Sequence, residues 1–139
     1  MKALFPALIE RDRSGMYFVK FPDLEEAITD GETIDEALFN AREVLSLTIE
    51  SRLDEGIEIS PPSHIQGDNV YLVAPAARVQ AALLIHQARG QRSLADLARA
   101  LDTSWPAAKR LEDPHHSPTL KVLDKAATTL GKNLVLSFE

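Results

Sequence analysis

The residues of this chain that could do chemistry are a set of carboxylates on early turns, four histidines, and a small basic and aromatic group near residue 105. Acids such as Asp23 and Asp30 would be the ligands if the chain held a metal-dependent phosphodiester site. Such a site needs several converging carboxylates, whereas the acids here fall mostly on turns and on the polar face of a helix. Solvated surface acids are therefore the favoured reading. His115 and His116 are adjacent, so they point different ways and chelate poorly without distant help. His64 falls in a linker and His86 in an amphipathic helix, and no metal site is expected. The chain has no cysteine, which excludes disulfides, thiol catalysis and cysteine-ligated zinc. No nucleophile elbow, phosphate-binding loop or dinucleotide fingerprint occurs. The expectation is a protein that is not an enzyme and takes no cofactor.

Charge is the stronger signal. Residues 1 to 60 carry 14 acidic and 6 basic side chains, a balance of −8, and residues 61 to 139 carry 7 acidic and 9 basic, a balance of +2. Two modules with different partners would produce this asymmetry, although acids also serve simply to keep a small domain in solution. Apolar residues make up 45% of the 139, enough for a packed core. No apolar run approaches the roughly 20 residues of a membrane span, and the charged start MKALFPALIERD does not suit a secretory signal. The expected location is the cytoplasm.

The elements that must position these residues follow from periodicity. KALFPALIE is a short strand that Pro6 should restrict to an edge or a bulge. MYFVKF (16 to 21) is a second strand returning through the turn RDRSG, and Ala27 to Thr29 is a short third. Thr33 and Glu36 form a capping box. The helix they open carries Ile34, Ala37, Leu38, Ala41, Leu45, Thr48, Ile49 and Leu53 on one stripe, and Gly56 ends it. Residues 60 to 68 are a linker, and NVYLVA (69 to 74) is a strand able to rejoin the sheet. Pro75 then starts a helix to about Arg89; Ser93 caps SLADLARAL; Ser104 caps a helix from about Trp105 to Glu112. Ser117 and Pro118 begin a last helix with Leu120, Leu123, Ala127 and Leu130 inward. NLVLSF (133 to 138) alternates like a strand and, lacking a neighbour, could pair with a second copy.

Phe5 to Ser63 resembles the N-terminal domain of the HicB antitoxins. The matching residues are FPA at 5 to 7, Gly15, Tyr17, FPDL at 21 to 24, DGETIDEALFNA at 30 to 41 and ISPPS at 59 to 63. After FPDL the family usually has Pro-Gly and a small residue where this chain has Glu25-Glu26-Ala27, so the loop there is expected to differ in shape. The resemblance implies a reduced ferredoxin-like or RNase H-like domain of β-β-β-α-β order that binds a HicA-type toxin, a small basic RNA-cleaving protein. It implies toxin contacts at Tyr17, Phe21, Asp23, Glu25, Glu26 and Asp30.

Ser93 to Glu112, SLADLARALDTSWPAAKRLE, is similar to the helix-turn-helix of phage-repressor-type regulators. Leu97, Ala98, Leu101, Ala108 and Leu111 occupy the positions where its two helices pack. Asp102 stands where glycine is usual, Thr103 where a small apolar residue is expected, and Leu94 where a phosphate-contacting glutamine is common. In that geometry the second helix enters the major groove. Trp105, Lys109 and Arg110 would face DNA, Ser104 would meet a phosphate at the helix start, and Arg92 and Ser93 would flank the backbone. Trp105 could equally be a core aromatic, and Arg110 could pair with Glu112 or Asp113.

Together these readings give an α+β chain. Residues 1–74 form the toxin-binding domain, and residues 75–139 an all-α helix-turn-helix domain with a C-terminal strand that binds operator DNA as a homodimer or higher oligomer. The leading alternative is a helix-turn-helix regulator whose N-terminal domain senses a small ligand; a short basic reading frame beside the gene separates the two. A relic nuclease of the RNase H type is the other, tested by loss of activity on replacing Asp23 and Asp30.

Overall fold

Phe5, Ala7 and Ile9 point one way and alternate with Pro6, Leu8 and Glu10, and in the computed structural model, which describes residues 1–139, this period-two stretch is the strand β1, Phe5–Arg11. It pairs antiparallel with β2, Tyr17–Phe21, through the register Leu8↔Lys20 and Arg11↔Tyr17. The turn between them is built on Asp12, whose carboxylate accepts from the amides of Ser14 at 2.9 Å and Met16 at 3.0 Å. β2 pairs antiparallel with β3, Leu24–Gly31, which is longer than the three residues expected, and a register shift falls between Lys20 and Phe21. β4, Val70–Val73, returns to the sheet and pairs antiparallel with β1, giving the order β3-β2-β1-β4.

The proline in β1 corrects one expectation. β1 is an inner strand, not an edge. Its ladder with β2 covers Leu8 to Arg11, and its ladder with β4 covers Phe5 to Leu8. Pro6 therefore has a neighbour on one side only, where a missing amide is tolerated.

The helix α1, Ile34–Glu55, crosses one face of the sheet. Thr33 caps it, its hydroxyl accepting from the Glu36 amide at 3.1 Å, while the Glu36 carboxylate accepts from the Glu32 amide at 3.3 Å. Both bonds satisfy amides of a helix start that would otherwise lack partners. Ala37, Ala41, Leu45 and Ile49 are wholly buried against Phe5, Ala7, Val19, Phe21 and Leu24. The approach is close because the residues are small: a Cβ on Gly31 would meet the Ala37 amide nitrogen at 2.5 Å. Gly56 ends the helix in the left-handed conformation at φ 70°.

Four further helices follow: α2 Ala77–Arg89, α3 Leu94–Ala100, α4 Trp105–Arg110 and α5 Leu120–Thr129. Val79 and Leu83 of α2 belong to the first core. Ile85, two residues on, belongs to a second core with Leu97, Ala98, Leu101, Ala108, Leu111, Ala126 and Leu130. One helix thus anchors both cores. Between α3 and α4 the chain turns at Asp102, the one non-glycine residue with positive φ, at 54°.

Two expectations for the C-terminal part are corrected. The last helix starts at Leu120, capped by Thr119, whose hydroxyl accepts from the Val122 amide at 3.2 Å; Ser117 does not cap it. Leu120 faces outward at 62% exposure, and Ala126 rather than Ala127 takes the wholly buried position. Residues 133–138 form no strand and join none of the four strands of the sheet, and Val135, Leu136 and Phe138 are exposed.

Candidate functional site

The N-terminal candidates do not converge on one point; they follow β2 and β3. Tyr17 is half-buried beneath the Arg11 guanidinium, 5.6 Å from its ring centre. Phe21 is 1% exposed and belongs to the core, so it can shape the surface but not touch a partner. Asp23 is occupied: its carboxylate accepts from the Ser63 amide at 2.9 Å and from the Ser63 hydroxyl, pinning the segment after α1 to the β2–β3 turn. Glu26 is occupied too. Arg52 of α1 clamps it with two hydrogen bonds of 2.8 and 2.6 Å, and this bonding holds its carboxyl at a pKa of about 2. Glu25 and Asp30 remain exposed with no side-chain hydrogen bond or ion pair.

Beside them on the outer side of the same strand pair, Phe18 and Ile28 are exposed, Phe18 opposite Asp30 and Ile28 opposite Lys20. Sequence reasoning passed over these two. The signal was present: in MYFVKF, Val19 and Phe21 are in phase with the core, which leaves Phe18 facing out.

The C-terminal candidates sit around α3 and α4. Ser93 and Ser104 are helix caps, accepting from the Asp96 amide at 3.0 Å and the Ala107 amide at 3.2 Å. Arg92 lies against the end of α2, donating to the carbonyls of Ala88 at 3.2 Å and Arg89 at 3.4 Å. Trp105 is not a core aromatic; it is 47% exposed, with the Lys109 ammonium 5.2 Å from its ring centre. Lys109 and Arg110 are exposed and make no ion pair. Arg110 pairs with neither Glu112 nor Asp113, and Glu112 is bonded instead to two residues of α2. Its carboxylate meets His86 Nδ1 at 2.6 Å and accepts from Arg89 at 2.6 and 3.0 Å. Burial alone would raise the Glu112 pKa, but the His86 and Arg89 hydrogen bonds outweigh it and leave the carboxyl below its ordinary value.

Sequence reasoning also missed the groups that join the two halves. Arg78 of α2 pairs with the buried Glu50 of α1 and donates to the Pro114 carbonyl at 2.6 Å. The Ser46 hydroxyl accepts from the Ala76 amide at 2.8 Å, and His115 Nε2 lies 2.8 Å from Asp54. Trp105, Lys109 and Arg110 line a cleft of about 950 Å3 together with Leu53, Asp54, Ile57 and Glu58. No one-dimensional signal marks such contacts, since each joins residues 28 to 61 positions apart. No helix of the chain is long and apolar enough to cross a bilayer.

Residues 4–81 match the family model described as the HicB-like antitoxin of bacterial toxin-antitoxin systems. Among similar proteins, Antitoxin HicB 2 of Photorhabdus laumondii is 32% identical over 132 residues, covering 95% of this chain and 94% of that one. Antitoxin HicB 1 of the same organism is 29% identical over 97% of this chain and 86% of its own length. Antitoxin HicB of Escherichia coli is 27% identical over 95% and 96%. The solved N-terminal domain of Burkholderia pseudomallei antitoxin HicB aligns with a TM-score of 0.46 and 27% identity, covering 51% of this chain and 95% of that one. A family model that takes in the whole sheet, α1 and the first turn of α2, with relatives matching nearly end to end, leaves one assignment: the chain belongs to the HicB-like antitoxin family.

Proposed function

We propose that this chain neutralises a small basic toxin ribonuclease of the HicA type through its N-terminal module and represses its own operon through α3 and α4, read as a helix-turn-helix. The observation that carries this reading is the separation of uncommitted charge. Glu25 and Asp30 stand free on β3, and Lys109 and Arg110 stand free on α4. An acidic face attracts a cationic protein and competes with RNA for it. A basic helix with an exposed aromatic suits the phosphates and base edges of a duplex.

On this reading Trp105, Lys109 and Arg110 meet the DNA, with Ser93, Ser104 and Arg92 at the flanks. A module of balance +2 binds one half-site weakly, so two copies act together on a two-fold operator. The unpaired, alternating residues 133–138 offer a route to that dimer by strand pairing between copies.

The test is operator binding across a salt series. Lys109→Ala is expected to weaken binding to the DNA upstream of the gene by about 1 kcal/mol and to lower the salt slope by about one ion. Toxin neutralisation should be unchanged. Normal DNA binding together with lost neutralisation would reverse the assignment of the two modules.

A further inference from the structure

His115 belongs to the loop after α4 and Asp54 to the last turn of α1, yet the imidazole Nε2 lies 2.8 Å from the Asp54 carboxylate. Asp113 joins them: one ligand-type atom from each of Asp54, Asp113 and His115 lies within 4.8 Å of the other two. We propose that these three side chains bind one divalent first-row transition ion of the zinc type, at the edge of the cleft between α1 and the α3–α4 module.

The donor set selects the class of ion. One imidazole nitrogen and two carboxylate oxygens suit zinc, cobalt or manganese, whereas calcium takes six to eight oxygens. Ligand atoms around a tetrahedral zinc ion are about 3.3 Å apart, given bonds near 2.0 Å. All three side chains are exposed, so small rotations bring them to that spacing. A simple ion pair would involve Asp54 and His115 alone; Asp113 brings a second carboxylate to the same place. Asp113 spends one oxygen on the His115 amide, at 2.9 Å, and the other is free to bind.

Both halves of the site are held by one guanidinium. Arg78 pairs with Glu50, one turn before Asp54 in α1, and grips the carbonyl of buried Pro114, between Asp113 and His115. That is the kind of outer support that orients metal ligands. Asp54, Glu50 and Asp113 all act on the imidazole with negative charge, a potential that favours a cation. Three protein ligands at an exposed position leave a coordination place for water. A bound ion would tie the end of α1 to the loop leaving α4 and fix the module carrying Lys109 against the sheet domain.

The experiment is a titration of the untagged full-length chain with zinc by calorimetry and with cobalt by visible absorption; the chain has no thiolate to compete. The expected result is one saturable site per chain in the micromolar range. Asp54→Asn and His115→Gln should each weaken it by about tenfold or more, a loss of the size seen when even supporting groups are removed. His64→Gln, in the exposed linker, should leave it unchanged. Zinc should also raise the melting temperature of the parent chain and not of His115→Gln, because Asp54 and Asp113 meet only in the folded state. No saturable binding below millimolar metal would overturn the proposal, as would affinity equal to the parent's in Asp54→Asn and His115→Gln.

Discussion

Asp102 occupies a backbone conformation, φ 54°, that costs a residue with a Cβ about 1–2 kcal/mol, less for Asp than for most. Glycine, which has no Cβ, adopts this conformation without that cost. Asp102→Gly is expected to raise stability in urea denaturation by about 0.5 kcal/mol, the strain relieved less the entropy glycine loses on folding; an unchanged or lower midpoint would show that the turn is not strained. Glu112 is the other residue whose removal should be felt. Its side chain is 10% exposed and its partner Arg89 15%. Glu112→Ala leaves Arg89 with an unpaired, largely buried charge, at a cost of about 3 kcal/mol. The pH dependence follows from the lowered pKa: the carboxylate contribution is complete above the ordinary Glu value of 4.5 and is lost as pH falls through the lower folded value. Acid unfolding of the parent chain should therefore be steeper than that of Glu112→Ala. At this scale the sequence was least legible. It gave no sign that Ser63 bonds Asp23 or that Arg52 bonds Glu26, because both partners come from distant parts of the chain.

At the scale of elements, strands and helices with one wet face were legible, because burial on the other face imposes a period. α1 is the clearest case: its cap, its stripe and its terminal glycine were all written locally. The sequence could not show how tightly α1 lies on β3. Gly31 carries that contact, since any Cβ there strikes the Ala37 backbone, which cannot yield as a side-chain tip would. Gly31→Ala is expected to destabilise the chain by about 2 kcal/mol or more in thermal or urea unfolding, and a variant as stable as the parent would refute this account of the β3–α1 junction. The misread elements share a cause. Pro6 looked like an edge signal because pairing on each side of β1 covers only part of its length. The start of α5 was placed one cap too early because Ser117 and Thr119 both precede plausible first turns. Residues 133–138 have the alternation of a strand but join none of the four strands of the sheet.

Across the whole molecule, the division of charge read from composition survives as geometry: exposed acids on β3, exposed cations on α4, and between them α2, rooted in both cores. A helix shared in this way couples the two modules mechanically, as do Arg78 and His115 at the cleft. Truncating the chain within the linker would remove β4, Val79 and Leu83 from the first core, so tests of the N-terminal surface belong on the full chain. The central claim is that toxin binding and DNA binding use separate surfaces. Growth rescue tests it most directly, with a HicA-type toxin expressed alone and then with each variant. The parent chain and Lys109→Ala should both restore growth, and the double charge reversal Glu25→Lys, Asp30→Lys should not. Rescue that survives the reversal but disappears with Lys109→Ala, or a parent chain that never protects, would contradict the account.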